Sequence, residues 1–383
     1  MKITDITYEA VKIPYIRPFF PTWFPGLSED GQTIFIVTVH TDEGICGWGT
    51  MEAPFGIMKI IMETLNYART MVVGMDPFDI EKLMLRLNHV ARIGTRPWII
   101  ENCCWDIMGK KCGQPVYKLM GAARDRIPVY AAWGEIRDNA QRKEDALRLA
   151  EDGFKAVKVR FSHDRMADDL AIVESVRDAV GDRLEIMVDA NQGTARERKN
   201  GDFPVLWSYE RAKATAKELE QLHCTWLEEP LHRYDFDNLA RLCSEVDIPI
   251  AGAEINRGLH EFKTMLDKGC LDIYQPNCTM AASISDIRKI AVMADSCGRI
   301  VNPHAWIPGL GVLQTAHLAA AIPNFTYLEY PYDPPVLVPD TFQGILARPL
   351  FPEADGCIAM PDAPGFGIDL DEEKIDYYRI PLP

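Results

Sequence analysis

No stretch of this chain approaches the ~20 consecutive apolar residues of a membrane span, and none of its ten cysteines stands in a C-x-x-C pair. A structural zinc cluster, a dithiol redox motif and a disulfide framework are therefore not indicated. Cys103 and Cys104 lie in a helical pattern, where cysteine acts as a small buried apolar residue. The start, Met1-Lys2-Ile3-Thr4-Asp5-Ile6, has no apolar h-region, so a secretory leader is not expected. The expected compartment is the reducing cytoplasm. Positive charge is also short: 41 Lys and Arg against 56 Asp and Glu give a net charge of −15. That excludes a nucleic-acid surface and a polyanionic partner. What remains is an ordinary globular balance in 383 residues, enough for one large domain and a smaller one.

The pattern changes near residue 125. Before it, residues 3–15, 33–40 and 45–49 alternate like strands, with a turn at Thr41-Asp42-Glu43-Gly44, and helical periodicity follows over 57–72, 78–91 and 97–112. Strands followed by helices imply an α+β domain over 1–125. After it, eight short apolar runs recur near 128–133, 155–160, 184–190, 225–229, 248–252, 271–275, 299–302 and 325–329. Helical stretches separate them, which predicts an all-parallel sheet closed as a (β/α)8-like barrel over 126–340. The Pro- and Gly-rich segment 341–383 is expected to pack back on the first domain or the barrel base.

Three carboxylates end three successive apolar runs: Asp189 in Ile186-Met187-Val188-Asp189, Glu228 in Trp226-Leu227-Glu228-Glu229-Pro230, and Glu254 in Ile250-Ala251-Gly252-Ala253-Glu254. In a parallel barrel the C-terminal strand ends share one face. Acids converging there repel unless a cation joins them, and oxygen-only ligation favours Mg2+. Lys158 and Arg160 share one side of the second strand by period two. His304 follows Pro303 at the seventh strand end, and Glu329 ends the eighth.

With their D-x-N, E-E-P, G-x-E, K-x-[KR] and P-H patterns, these strand ends resemble the enolase superfamily, in its mandelate racemase-like branch. Thr41-Asp42-Glu43-Gly44-Ile45-Cys46-Gly47-Trp48-Gly49 and the segment from Trp105 to Gly121 are similar to that branch's capping-domain signatures. The resemblance spans essentially the whole chain in the right order. It implies a Mg2+-dependent enzyme in which a carboxylate substrate loses its α-proton and the enediolate is stabilised by the metal and nearby cations. Asp189, Glu228 and Glu254 become the metal ligands and Lys158, Arg160, His304 and Glu329 the catalytic group, with His304 the expected base, able then to act as acid toward a departing hydroxide. Glu229 is expected to point away by strand alternation.

Two positions depart from the family pattern. Arg160 stands where relatives often carry a second lysine, and arginine stays protonated, so it suits holding an oxygen rather than taking a proton. Asn277 replaces the aspartate that usually partners the histidine; it can orient His304 but cannot stabilise its charged form by charge. Glu329 either donates a proton or, if ionised, forms a salt bridge.

Substrate contacts are expected from Asn191, Asn277, Trp306 and the first-domain segment 18–26, with Trp23 shaping the pocket and Arg17 placed to reach an anionic group. Trp133 and Glu135 lie at a strand end beside them. The basic residues Arg196, Arg198 and Lys199 form a candidate screen for an anion. The expected substrate is a small carboxylate, an acid sugar or lactone, and the expected reaction is dehydration. A racemase, epimerase or cycloisomerase is the second reading, and a catalytically silent ligand-binding relative the third. No membrane partner is expected, and a homo-oligomer is a family expectation.

Overall fold

The computed structural model describes residues 1–52, 56–92, 95–195 and 205–383. It begins with an antiparallel meander of β1 (Ile3–Phe19), β2 (Glu29–Thr41) and β3 (Cys46–Glu52). The turn before β3 uses Gly44 at φ +75°, a conformation that favours glycine. One face of the meander packs on α1 (Met58–Val72), α2 (Ile80–Val90) and α3 (Ile99–Cys112), and a short α4 (Val116–Leu119) follows. Gly113 ends α3 in the left-handed conformation, as a helix-terminating glycine does. Strand β1 runs past the expected residue 15. After a register shift between Pro14 and Phe19 it carries Arg17 and Phe19 toward the barrel.

The barrel strands and helices alternate. In chain order they are β4 (Arg126–Ala132), α5 (Asn139–Glu151), β5 (Ala156–Arg160), α6 (Met166–Val180), β6 (Glu185–Asp189), α7 (Tyr209–Gln221), β7 (Leu227–Glu228), α8 (Phe236–Glu245), β8 (Ile250–Gly252), α9 (Gly258–Lys268), β9 (Ile273–Tyr274), α10 (Ile284–Ser296), β10 (Ile300–Val301), α11 (Gly311–Ala320) and β11 (Leu328–Pro331). Asp138, Ser208 and Ser283 cap α5, α7 and α10 by accepting from backbone N–H groups, which fixes where the chain leaves each loop.

All eight strands are parallel, ordered β10-β9-β8-β7-β6-β5-β4-β11. Among the described residues the ladder has no rung between β10 and β11. Asn302 joins that seam instead: its carbonyl accepts from Thr326 N and Tyr327 N, and its amide donates to Thr326 Oγ1 at 2.9 Å. The tail supplies α12 (Pro339–Phe342), β12 (Cys357–Ala359), α13 (Glu372–Tyr378) and β13 (Arg379–Ile380). Here β12 pairs antiparallel with β4, and β13 with β1. The tail thus contacts both the barrel and the first-domain sheet.

Period-two alternation builds the interior in layers. Tyr130, Ala156, Met187, Trp226, Ala251 and Ile273 form an apolar floor inside the strands. Two residues further along, Ala156 gives way to Lys158, Met187 to Asp189, and Trp226 to Glu228. The charged layer therefore lies directly above an apolar one, shielded from water.

Candidate active site

The register brings the sequence-predicted groups to one end. Asp189 and Glu228 are direct partners across β6 and β7, and Arg160 is the partner of Asp189 across β5 and β6. Lys158, Asp189, Glu228, Glu254, Arg160, His304 and Glu329 are all buried. They form one network. Lys158 Nζ lies 2.9 and 3.1 Å from the two oxygens of Glu228, 2.8 Å from Glu329 Oε1 and 3.7 Å from Asp189 Oδ2. Arg160 donates to Asp189 Oδ2 at 2.6 Å, to Trp133 O at 2.9 Å and to Glu329 Oε1 at 3.4 Å. His304 Nε2 stands 3.2 Å from Glu254 and 3.3 Å from Glu329. Gln275, a residue sequence reasoning missed, donates to Glu228 Oε2 at 2.9 Å. Its place two positions before Asn277 on the same strand end was the available signal.

The charge balance is uneven. Four buried carboxylates (Asp189, Glu228, Glu254, Glu329) face two permanent cations (Lys158, Arg160), an excess of two negative charges. Burial, with Asp189 and Glu329 nearby, pushes Glu228 up to about 7 despite Lys158. Burial also acts to raise Glu329, but Lys158, His304 and Arg160 outweigh it and hold this carboxylate at about 2. That direction favours the ionised, salt-bridging role of the two open to it from sequence. Burial acts to lower both Lys158 and Arg160, yet the carboxylates around them raise both.

An excess of two charges on oxygen-only donors suits a hard divalent cation. Among the described residues, no three Asp, Glu, His or Cys side chains are already drawn around a single point. Lys158 stands between Asp189 and Glu228, and His304 holds Glu254. The backbone here is strained as functional sites often are. Of the four non-glycine residues at positive φ among the described residues, three flank these acids: Asn191 at 51°, Glu229 at 44° and Ala253 at 79°. The turn at Glu229 sends its carboxylate to Arg233, 3.5 Å away, and against Gly193, where an added Cβ would meet it at 2.2 Å.

His304 is held in one tautomer. Asn277 Oδ1 accepts from Thr279 N, Thr279 Oγ1 and Met280 N, so its amide nitrogen must face His304 Nδ1, 2.9 Å away. That nitrogen donates, Nδ1 accepts, and the neutral ring carries its proton on Nε2. Asn277 therefore touches His304 rather than an open pocket.

The first-domain loop closes the mouth. Trp23 lies 5.0 Å from the Arg160 guanidinium and Trp306 lies 4.9 Å from it, while the two rings meet edge-on at 5.1 Å. Thr22 N donates to Gly134 O and Ile136 N to Phe20 O. Arg17 differs from the sequence expectation. Its guanidinium pairs with both oxygens of buried Glu135, which also holds Arg137, so it clamps the loop to the barrel. Asn191 donates to both oxygens of Asp189. Arg196, Arg198 and Lys199 lie outside the described residues.

Two family models cover the chain. Residues 16–121 match the mandelate racemase / muconate lactonizing enzyme N-terminal domain, and residues 141–374 match the enolase C-terminal domain-like family. The chain belongs to the mandelate racemase / muconate lactonizing enzyme branch of the enolase superfamily. It is 27% identical to D-galactarolactone cycloisomerase of Agrobacterium fabrum over the full length of both. It is also 27% identical to arabinonate dehydratase of Saccharolobus solfataricus over 92% of each chain. A solved enolase-superfamily member from Polaromonas sp. JS666 superimposes with a TM-score of 0.86 at 27% identity, covering 100% of this chain and 99% of the other. Curated relatives of this kind are dehydratases, cycloisomerases and racemases, and this superfamily member is accordingly a lyase or isomerase.

Proposed function

We propose that this enzyme removes the α-proton of a small carboxylate substrate with Mg2+ bound, and that the substrate is an acid sugar which then loses water. The observation that carries the reading is the buried network in which four carboxylates face two permanent cations beneath a tryptophan-lined lid. Asp189, Glu228 and Glu254 would hold the ion. When bound, it draws electron density from the substrate carboxylate and makes the adjacent C–H more acidic.

The remaining chemistry falls to this chain's own residues. Arg160 stays charged and is fixed by Trp133, Asp189 and Glu329, so it holds a substrate oxygen without giving up a proton. The lid of Trp23 and Trp306 excludes water and strengthens those contacts. His304, with its proton on Nε2, donates to the developing enediolate oxygen. The nitrogen left to take the α-proton is Lys158 Nζ. This moves the base from the His304 expected from sequence; in the network Glu228 and Glu329 favour the protonated amine, and Glu228 engaged on the ion would no longer do so, which would leave Lys158 able to lose its proton and act as base. Glu329, ionised, orients both Lys158 and His304.

The test is a screen of acid sugars and lactones with Mg2+, reading keto-acid product with semicarbazide and α-deuterium exchange in D2O. Keto acid from an acid sugar supports dehydration. Exchange or ring opening without keto acid assigns the enzyme to the isomerase reading, which full-length similarity to a cycloisomerase favours as the second choice. No exchange with any acid defeats both. The Lys158→Met variant is expected to lose exchange while His304→Gln retains a measurable rate; the reverse would make His304 the base.

A further inference from the structure

A second histidine stands beside the mouth, in the opposite tautomer from His304. His163 follows Arg160 by three residues, in the loop between β5 and α6. Its Nδ1 lies 3.0 Å from Oδ1 of Asp169, in the first turn of α6. Asp169 is 1% exposed and firmly placed. The same oxygen accepts from Ser162 N at 3.1 Å and His163 N at 3.0 Å, and Oδ2 accepts from Arg211 at 3.3 Å. A carboxylate only accepts, so Nδ1 carries the proton and Nε2 presents its lone pair. Asp169 can accept from Nδ1 whether or not Nε2 also carries a proton. At His304 the corresponding nitrogen faces the Asn277 amide instead. The other charged groups facing His163 are Asp164 beside it and Arg211, which also donates to the Asp164 carbonyl.

The dyad opens on a cavity of about 110 Å3 bounded by His163, Asp169, Trp23, Asn191 and Trp207. His163 keeps 40% of its side chain exposed. Asn191 links the cavity to the charged network, since its amide donates to Asp189 while its buried Oδ1 has no partner among the described residues. Trp23, which lies against Arg160, and Asn191, which is bonded to Asp189, line this cavity as well, so the cavity and the charged network share two walls.

We propose that His163, oriented by Asp169, is the proton donor to the hydroxyl that leaves the substrate. This rests on the dehydration reading above. The base takes the α-proton, and the C–H electron pair becomes the enol double bond. The β-carbon–oxygen bond breaks with its pair on oxygen, and His163, first protonated by solvent on Nε2 as well as Nδ1, gives its Nε2 proton to complete water. The enol then tautomerises to the 2-keto acid. His163, left neutral, regains a proton from solvent through its exposed edge. Asp169 is a positioning residue that acts through the ring.

The experiment uses the full enzyme with Mg2+ and an acid sugar that yields keto acid in the screen. His163→Gln is expected to lower kcat for keto-acid formation about 10²-fold, the usual scale of a general acid, with KM little changed and α-deuterium exchange in D2O persisting. Asp169→Asn should show the same split more weakly. Exchange and elimination falling together, or a His163→Gln variant that matches the wild type, would overturn the assignment while leaving the dehydration reading standing. A wild type that makes no keto acid from any acid sugar defeats that reading and this step with it. A substrate-free measurement is independent of both: the [15N]histidine spectrum should show His163 protonated on Nδ1, moving off it in Asp169→Asn. A neutral ring with its single proton on Nε2 sinks the dyad.

Discussion

At the residue scale, the departure that matters most is Asn277. Its carbonyl is engaged by two backbone N–H groups and the Thr279 hydroxyl, so its amide can only donate to His304. Asn277→Asp is expected to reverse the ring, with Nδ1–H donating to the new carboxylate and the Nε2 lone pair facing the network. Nitrogen-15 spectra of His304 read this directly; an unchanged Nε2–H signal contradicts it. Glu228 supplies a second prediction. With its pKa pushed up to about 7 in the folded protein, its favourable contribution is complete below the ordinary carboxylate range and is lost as pH rises through 7. In EDTA, the stability of wild type relative to Glu228→Gln should therefore fall between pH 5 and 8 in urea titrations. Mg2+ should offset that fall. Glu329 has the opposite sign: held at about 2, its contribution is present above the ordinary range and is lost as pH drops through 2.

At the scale of elements, the decisive piece is the extension of β1 and the loop after it. The aromatic and proline content of residues 18–26 marked a loop of consequence, but nothing local showed where it lands. Its seat depends on backbone bonds to Gly134 and Ile136 and on Arg160 lying against both Trp23 and Trp306. A desolvated cation–aromatic contact is worth about 1–2 kcal/mol. Trp23→Ala is thus expected to raise KM about tenfold and lower kcat, with global stability nearly unchanged; a variant with wild-type KM would show the lid to be incidental. The barrel strands were far more legible. Apolar runs as short as β7 and β9 could be found because each ends in polar residues and is followed by a helical stretch. The pairing of Arg17 with Glu135 was not legible because the two lie 118 residues apart.

At the scale of the whole molecule, the first domain, barrel and tail meet around His317. The ring is fully buried in α11; Nδ1 accepts from Tyr117 N and Nε2 donates to the Phe366 carbonyl. Burial pushes its pKa down to about 3. The unfolded chain takes up a proton at this histidine as pH falls below about 6.5, and the folded protein does not until about 3. Stability should therefore drop across that window by about 1.4 kcal/mol per pH unit from this group alone. Urea titrations at pH 7 and pH 4 should show a smaller difference for His317→Gln than for wild type. Equal differences would mean that the junction opens before the ring titrates.

Local patterns along the chain were enough to read the alternation of strands and helices, the parallel barrel, and the three acids that end successive strands. Period two and the shared direction of parallel strands are local rules, and they carry Lys158, Arg160, Asp189 and Glu228 to the same face. Only the tertiary structure decided which groups neutralise one another, the tautomers of His304 and His163, and the seat of the Trp23 loop. Those depend on contacts between segments far apart in the chain, and hydrogen-bond direction is set by every donor around a group, which no local pattern encodes.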